Sequence, residues 1–201
     1  MHKCREKLHV YYDRVMGPVA RVLVRLKVTP NQVSVAGGVL NVAAAVFIIN
    51  GQFLIAGLLY LTAGGLDLLD GLVARLSNQE TVFGAFLDSM LDRVSEGVVF
   101  AAIVYHLAAA GDALTSSFVV LALLASLLVS YMRAKAEAMG IECKVGVMAR
   151  LERVVLVSGG LLFGFLPLAI YVLVALTTFT VGQRFVHILA QLQPDRRERS
   201  A

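Results

Sequence analysis

Six apolar stretches separated by short polar breaks dominate the pattern of hydrophobic and polar positions along the chain. They cover residues 32–50, 53–75, 85–109, 115–137, 153–166 and 168–189. Most reach the ~20 residues that a membrane-spanning helix needs, and only the fifth is short. Gly51, Gly111 and Pro167 mark breaks between stretches. The pattern therefore predicts an all-α membrane protein with six transmembrane helices.

Apolar residues also recur at helical spacing before the first stretch, over residues 8–26, with arginines mostly between them. This is typical of an amphipathic helix that lies in the membrane interface. A simple positively charged flank of the first span is the alternative. The run 28–31 ends this segment, and Asn31 is expected to cap the first span.

The positions of Lys and Arg predict the orientation in the membrane. The loops near residues 51, 111 and 167 contain neither, and all basic residues fall on the other side. A multi-pass cell-membrane protein with both termini and the active site on the cytoplasmic side is expected. Its expected divisions are an interfacial segment, a six-helix membrane domain and a cytoplasmic tail, over residues 1–30, 31–190 and 191–201.

Composition supports a membrane protein. Hydrophobic residues make up 58% of the 201 residues and charged residues 16%, whereas a soluble domain is about a quarter charged. Mean hydropathy is +0.77. The two cysteines and four histidines lack the spacing of a disulfide framework or a zinc site. We expect two free thiols, a lipid bilayer as the environment and no nucleic-acid partner.

Four aspartates lie at the facing ends of the second and third stretches. Asp67 and Asp70 are spaced i, i+3, and Asp88 and Asp92 are spaced i, i+4, so each pair lies on one helix face. A short connection predicts an antiparallel hairpin that brings the four carboxylates together. Ionisable groups in membrane spans are costly and usually functional.

The carboxylates need a counter-charge, because like charges repel strongly at low dielectric. Arg75 and Arg93 neutralise at most two of them. Oxygen ligands favour Mg²⁺ or Mn²⁺, and two such ions suit displacement at phosphorus. Helix capping or pairing with arginine is the alternative reading. Gly71 and Ala74 leave the neighbouring helix face bare for a ligand.

These residues form a pattern that resembles the signature of CDP-alcohol phosphotransferases, Asp-x2-Asp-Gly-x2-Ala-Arg-x8-Gly-x3-Asp-x3-Asp. The eight matching positions are Asp67, Asp70, Gly71, Ala74, Arg75, Gly84, Asp88 and Asp92. The resemblance implies an enzyme that transfers a phosphoalcohol group from a CDP-activated lipid, such as CDP-diacylglycerol, to an alcohol and releases CMP.

The resemblance also implies roles for individual residues. The implied metal ligands are Asp67, Asp70, Asp88 and Asp92. Asp92 is in addition the implied general base on the acceptor hydroxyl. The implied CDP-binding residues are Asn31, Asp67, Asp70, Gly71, Ala74 and Arg75.

Two basic segments bear on the acceptor alcohol. Residues 130–138 and 150–153 resemble segments of phosphatidylinositol phosphate synthases and of their archaeal ether-lipid counterparts, although Ala149, Leu151 and Lys135 depart from that pattern. The candidate phosphate-binding residues are Arg133, Lys135, Arg150 and Arg153. Ordinary positive charge on the cytoplasmic side is the alternative. Inositol 1-phosphate is the first expected acceptor and glycerol 3-phosphate, as in a phosphatidylglycerophosphate synthase, is the second.

Other readings of the sequence are more remote. An intramembrane prenyltransferase carries its two Asp motifs in separate repeats, and a cation transporter places acidic groups near the bilayer midplane. Gly160 and Gly164 form a Gly-x3-Gly pair that suits a dimer seam or packing within the chain. Family members that resemble this chain are homodimers, which favours a homodimer.

Overall fold

The protein is all-helical over residues 16–192, the part of the chain that the computed structural model describes. The helices are α1 (residues 16–25), α2 (Pro30–Ile49), α3 (Phe53–Ser77), α4 (Val82–Ala109), α5 (Ala113–Ala138), α6 (Arg150–Phe163) and α7 (Leu166–Leu192). Each of the six predicted apolar stretches corresponds to one of the helices α2 to α7. The predicted all-helical class is confirmed for this range.

Four of the described helices are long and apolar enough to cross a membrane, namely α2, α3, α5 and α7. Helix α4 is long but carries Asp88, Asp92, Arg93 and Glu96, and α6 has only 14 residues. Charged side chains of α4 and α6 meet in the interior, as the site below shows.

The six long helices pack in a closed ring in the order α2, α3, α6, α7, α5, α4. Helix α2 packs against both α3 and α4, so the expected hairpin, in which α3 would lie along α4, is wrong. The two helices instead converge at the short connection between them. Apolar side chains from all six helices fill the interior, including Ile48, Phe100, Ile103, Val157 and Leu173.

Glycines on α3 allow α6 to approach closely. A Cβ atom on Gly64 would lie 2.7 Å from Cγ1 of Val154, and one on Gly57 would lie 2.8 Å from Cγ of Leu162. Real Cβ atoms essentially never come this near, so both positions require glycine for the observed helix separation. This contact sets how far α6 reaches into the ring.

The Gly160 and Gly164 pair serves the chain's own packing. A Cβ on Gly160 would lie 2.7 Å from Cβ of Ala169 on α7. Gly164 ends α6 with φ of 76°, a left-handed conformation that glycine adopts readily. The two glycines thus have roles in the α6–α7 corner, and they give no support to a dimer seam.

Helix ends differ from the predicted ones in two places. Thr29, not Asn31, caps α2, because its hydroxyl accepts from the Gln32 amide in a capping box. Pro167 lies in the first turn of α7 instead of in the break before it, where its missing N–H costs nothing. Asp112 caps α5 by accepting from the amide of Thr115. Hydrogen bonds from Thr115 lower the pKa of the Asp112 carboxyl.

The connection between α5 and α6 is anchored on α7. The amide of Met148 donates to Oγ1 of Thr180 at 3.1 Å. Arg184 donates through Nε to the carbonyl of Val145 at 3.0 Å and through a second nitrogen to the carbonyl of Val129. These contacts fix where α6 begins, and with it Arg150, the first residue of α6.

The predicted interfacial helix is only partly within the described range. Its residues 8–15 lie outside it, and residues 16–25 form α1. Ala20 packs in a small cluster with Val33, Leu69 and other residues of α2 and α3, while Val22 is exposed. An interfacial position therefore remains a prediction. Cys143 is a buried free thiol, as expected, whereas Cys4 lies outside the described residues.

Candidate active site

Carboxylates from two helices meet where α3 ends and α4 begins. Asp67 and Asp70 on α3 and Asp88 on α4 each offer an oxygen, and these oxygens lie within 4.8 Å of one another. A compact group of three carboxylates can hold a hard divalent cation such as Mg²⁺ or Mn²⁺. The structure thus brings together three of the four predicted aspartates in the expected way.

Asp70 is held in place from α2. Oγ of Ser34 donates to Oδ2 of Asp70 at 2.6 Å, and Asp70 is buried. Because α2 lies between α3 and α4, its side chains reach the carboxylate group directly. Ser34 was not among the predicted residues, since nothing in local periodicity shows which neighbour a helix face will meet.

Asp92 is not a member of this group of three, but it lies beside Asp67. Arg150 contacts Oδ1 of Asp92 at 2.7 Å through one nitrogen and forms an ion pair with Asp67 through the same nitrogen. The three side chains are 22%, 24% and 21% exposed for Arg150, Asp67 and Asp92. One arginine from α6 therefore links the candidate metal ligands to the predicted base.

A second ion pair lies one helical turn further along α4 and α6. Arg153 donates through Nε to Oε1 of Glu96 at 2.7 Å and through a second nitrogen to Oε2 at 3.0 Å. The two side chains are 1% and 6% exposed.

Glu96 was missed by the sequence analysis. It lies four residues after Asp92, inside an apolar stretch, and an ionisable residue in such a place is a functional or structural candidate by default. Its position in an apolar stretch could have identified Glu96 as a candidate. Its partner could not have been identified in this way, because Arg153 is 57 positions away in the sequence.

Arg133 and Lys135 lie near the end of α5, and both are exposed. Nε of Arg133 donates to Glu137 on the same helix at 2.8 Å. Neither forms an ion pair with the aspartates among the described residues. Of the four predicted phosphate-binding residues, Arg150 is the one that forms ion pairs with the aspartates within residues 16–192.

The predicted CDP-binding residues of α3 share one face of its last turns, from Asp67 to Ala74. A Cβ on Gly71 would have one near neighbour in the described chain, the guanidinium of Arg75 at 4.0 Å. Asn31 lies on α2, and its Oδ1 would be 3.2 Å from a Cβ on Gly84. A side chain at position 84 would therefore require Asn31 to shift by a few tenths of an ångström.

A small cavity extends inward from the carboxylates between α2, α3 and α4. Its walls include Asp67, Asp88, Asp92, Asn41, Ser95 and Arg150. The aspartates and Arg150 lie at its polar mouth, and Asn41 and Ser95 are both buried.

Comparison with known proteins identifies a family whose members resemble this chain. The model of the CDP-alcohol phosphatidyltransferase family matches residues 27–184. An archaetidylinositol phosphate synthase of Methanothermobacter thermautotrophicus is 36% identical over 186 residues, which cover 90% of this chain and 91% of that protein. A phosphatidylinositol phosphate synthase of Corynebacterium glutamicum is 36% identical over 182 residues, with 86% and 83% covered.

The fold is also similar to that of a solved enzyme, the phosphatidylinositol phosphate synthase of Mycobacterium tuberculosis. Its crystal structure with CDP-DAG bound superposes with a TM-score of 0.79 at 29% identity, over 87% of this chain and 94% of that chain. Its structure in complex with manganese and citrate gives a TM-score of 0.79 at 29% identity, over 86% and 88%.

Proposed function

The chain belongs to the CDP-alcohol phosphatidyltransferase family, and we propose that it transfers a phosphatidyl group from a CDP-activated lipid to inositol 1-phosphate with release of CMP. The observation that carries this proposal is the convergence of Asp67, Asp70 and Asp88 beside the bare surface of Gly71. Two relatives named for inositol phosphate lipids, each 36% identical, support the choice of acceptor.

Asp67, Asp70 and Asp88 are the proposed ligands of Mg²⁺ or Mn²⁺, with two ions expected. Their oxygens fit a hard cation in type and in spacing, and the solved relative binds manganese. When bound, such ions neutralise the diphosphate and the departing CMP. Asp92 is a further candidate ligand, although it lies outside the group of three.

Asp92 is the proposed general base. The oxygen of an acceptor hydroxyl attacks the lipid-side phosphorus, the bond from that phosphorus to the CMP oxygen breaks, and the hydroxyl proton passes to the Asp92 carboxylate. Arg150 orients this carboxylate through its contact at 2.7 Å. Because Arg150 also pairs with Asp67, it fixes the base relative to the metal ligands.

The CDP group is proposed to lie along the bare face of α3. Gly71 and Ala74 admit it close to the helix backbone, Arg75 offers a cation at the exposed end, and Asn31 approaches from α2. The solved relative with CDP-DAG bound supports a CDP-lipid substrate.

The acceptor phosphate is proposed to bind Arg133, Lys135 and Arg150. Arg153 was an equal candidate by sequence, but its guanidinium is occupied by both oxygens of Glu96. Contact between Arg153 and a phosphate would leave the Glu96 carboxylate buried without its counter-charge, which is strongly unfavourable. We therefore assign Arg153 to the stability of the fold.

The finer membrane topology is also part of the proposal. Helices α2 to α7 form a six-span domain over residues 31–190, with 1–30 as an interfacial segment and 191–201 as a tail. Both termini and the site lie in the cytoplasm, as the distribution of Lys and Arg indicates. The exposed apolar side chains of these helices, such as Leu54 and Leu124, suit contact with lipid. The enzyme is proposed to act as a homodimer.

The test is a CMP-release assay with purified protein in detergent and CDP-diacylglycerol. Inositol 1-phosphate, glycerol 3-phosphate and free inositol are compared as acceptors. We expect the highest kcat/KM with inositol 1-phosphate, loss of turnover with a chelator, and recovery with Mg²⁺ or Mn²⁺. A preference for glycerol 3-phosphate would change the acceptor, and CMP release in metal-free buffer would contradict the role of the three aspartates.

A further inference from the structure

We propose that Asn41 and Ser95 form a subsite for one hydroxyl group of the polyol acceptor, next to the hydroxyl that Asp92 deprotonates. This inference rests on the proposed function. It assigns a binding role to two buried polar residues on α2 and α4 that the family pattern does not include.

The subsite is the inner end of the cavity that opens at the carboxylates. Ser95 follows Asp92 by three positions on α4, so the two side chains share a helix face. Asn41 follows Ser34 by seven positions on α2, so it lies two turns along the face that also reaches Asp70. The whole cavity, from the carboxylates to Asn41 and Ser95, has a volume of about 10 Å³, which is enough for one oxygen-sized group.

An oxygen of Asn41 that is unpaired within the described chain indicates that the cavity binds a group from a ligand. Its residue is 4% exposed, and its Nδ2 donates to the carbonyl of Gly37 at 3.0 Å. Its Oδ1 has no hydrogen-bond partner among the described residues. Buried side-chain oxygens almost always accept a hydrogen bond, because leaving one unpaired is costly.

The chemistry of Oδ1 selects the kind of group. An amide oxygen only accepts, so the occupant must donate an O–H or N–H. Around the reacting phosphorus, the CDP-lipid carries phosphate and ester oxygens, which only accept. The polyol carries several further hydroxyls beside the one that reacts, and Ser95 can donate to or accept from such a group. Water has the same O–H chemistry and is the other source of a donor.

The cavity wall offers a way to close the subsite without changing its polar groups. A Cβ on Gly38 would lie 3.6 Å from Cδ2 of Leu91 and 4.0 Å from Oγ of Ser95, both ordinary contact distances. Gly38→Ala therefore adds a methyl group beside Ser95 without displacing a neighbour. The matched control is Gly182→Ala on α7, where a Cβ would meet no other part of the described chain within 4 Å.

The experiment measures kcat/KM for inositol 1-phosphate and for each of its monodeoxy analogues, with CDP-diacylglycerol saturating. We expect the wild-type enzyme to lose about tenfold with one analogue, equivalent to about 1.4 kcal/mol. Asn41→Leu should lose about tenfold with inositol 1-phosphate and should no longer distinguish that analogue. Gly38→Ala should behave in the same way. The KM for CDP-diacylglycerol should change less than twofold in both variants.

Two controls separate a local effect from a general one. Gly182→Ala should match the wild type with every acceptor. Ser126→Ala removes another buried hydroxyl, on α5 and away from the cavity, that finds no hydrogen-bond partner within residues 16–192. It should leave the discrimination among analogues intact.

Two results would overturn the subsite. If Asn41→Leu lowers kcat/KM equally with every acceptor and keeps the discrimination, the group bound there is water. If Gly38→Ala changes no acceptor constant, the cavity takes no part in binding, and this holds even where Asn41→Leu fails to fold. Absence of CMP release by the wild-type enzyme with any phosphorylated polyol would instead refute the proposed function, and the subsite with it.

Discussion

Two ion pairs one helical turn apart join the same two helices, yet they differ in exposure and in charge balance. In the outer pair, Arg150 of α6 contacts Asp92 of α4 and also Asp67 of α3, and all three are about a fifth to a quarter exposed. In the inner pair, Arg153 binds both oxygens of Glu96, and the two side chains are at most 6% exposed.

This difference in exposure and charge suits a catalytic role for the outer pair and a structural role for the inner pair. The outer pair has one cation for two carboxylates, with Asp70 and Asp88 close by, so the cluster carries excess negative charge. That excess suits the proposed metal site and the proposed base. The inner pair joins one cation to one carboxylate through two hydrogen bonds, and both side chains are buried. Proximity along the helices therefore does not imply a shared role.

The largest effect is expected from removing the charge of Asp92 in the outer pair. Asp92→Asn keeps the shape of the side chain but removes the proposed base, so kcat should fall by roughly 10²–10⁴-fold. Binding of CDP-diacylglycerol should stay within about twofold, because the three proposed metal ligands are untouched. Steady-state kinetics and a direct lipid-binding measurement test this.

An Asp92→Asn enzyme that turns over normally would remove Asp92 from the chemistry. The two ion pairs would then differ only in exposure. An enzyme that loses CDP-lipid binding in parallel with kcat would place Asp92 among the metal ligands instead.

Substitutions in the inner pair, Arg153 and Glu96, should change the free energy of unfolding of the protein. Arg153→Met leaves Glu96 buried without its partner and should lower the free energy of unfolding by about 3–5 kcal/mol. The double variant Arg153→Met with Glu96→Leu should recover most of that loss, because two apolar side chains replace a buried pair at little cost. Unfolding in mixed detergent micelles measures both.

A direct role of Arg153 in acceptor binding would give a different pattern. Arg153→Met would then raise the acceptor KM with little change in unfolding, and the double variant would not restore activity. That outcome would return Arg153 to the phosphate-binding set expected from the sequence.

The clustering of Asp67, Asp70 and Asp88 could be predicted from sequence, whereas the partners of the basic residues could not. Asp67, Asp70 and Asp88 are fixed by spacing within two helices and by the short connection between them, which are local features. Arg150 and Arg153 find their partners through the ring order, in which α6 lies beside α3 and across from α4. Periodicity shows which residues share a face but not which helix the face meets.

The same limit explains the error about the α3–α4 hairpin. Helices joined by a short connection usually pack together, but Gly57 and Gly64 give α3 a closer fit to α6, and α2 occupies the space beside α4. The sequence shows Gly57 and Gly64, but it does not show that α6 is the helix that packs against them.

A smaller effect is expected from Arg150. Arg150→Met should raise the acceptor KM by about tenfold to a hundredfold, since charge-assisted hydrogen bonds contribute about 1.5–3 kcal/mol. Unfolding should change far less than in Arg153→Met, because the outer pair is partly exposed. Arg150→Lys, which keeps the charge but loses the forked geometry, should fall between the two. An unchanged acceptor KM would leave Arg150 as an orienting contact only.

The smallest effect is expected from moving α6 relative to α3. It tests whether the position of α6 determines the geometry of the outer pair, Arg150 with Asp92 and Asp67. Gly64→Ala and Gly57→Ala both force a Cβ into α6, at 2.7 Å from Val154 and 2.8 Å from Leu162. Each should destabilise by about 1 kcal/mol, the low end for overpacking. Val154 adjoins Arg153 and lies four residues from Arg150, whereas Leu162 is near the far end of α6. Gly64→Ala should therefore lower kcat/KM severalfold, while Gly57→Ala leaves it nearly unchanged. Equal activity in the two variants would show that the outer pair adjusts to the position of α6, and the anchoring of the α5–α6 connection by Thr180 and Arg184 would then be the feature that positions Arg150.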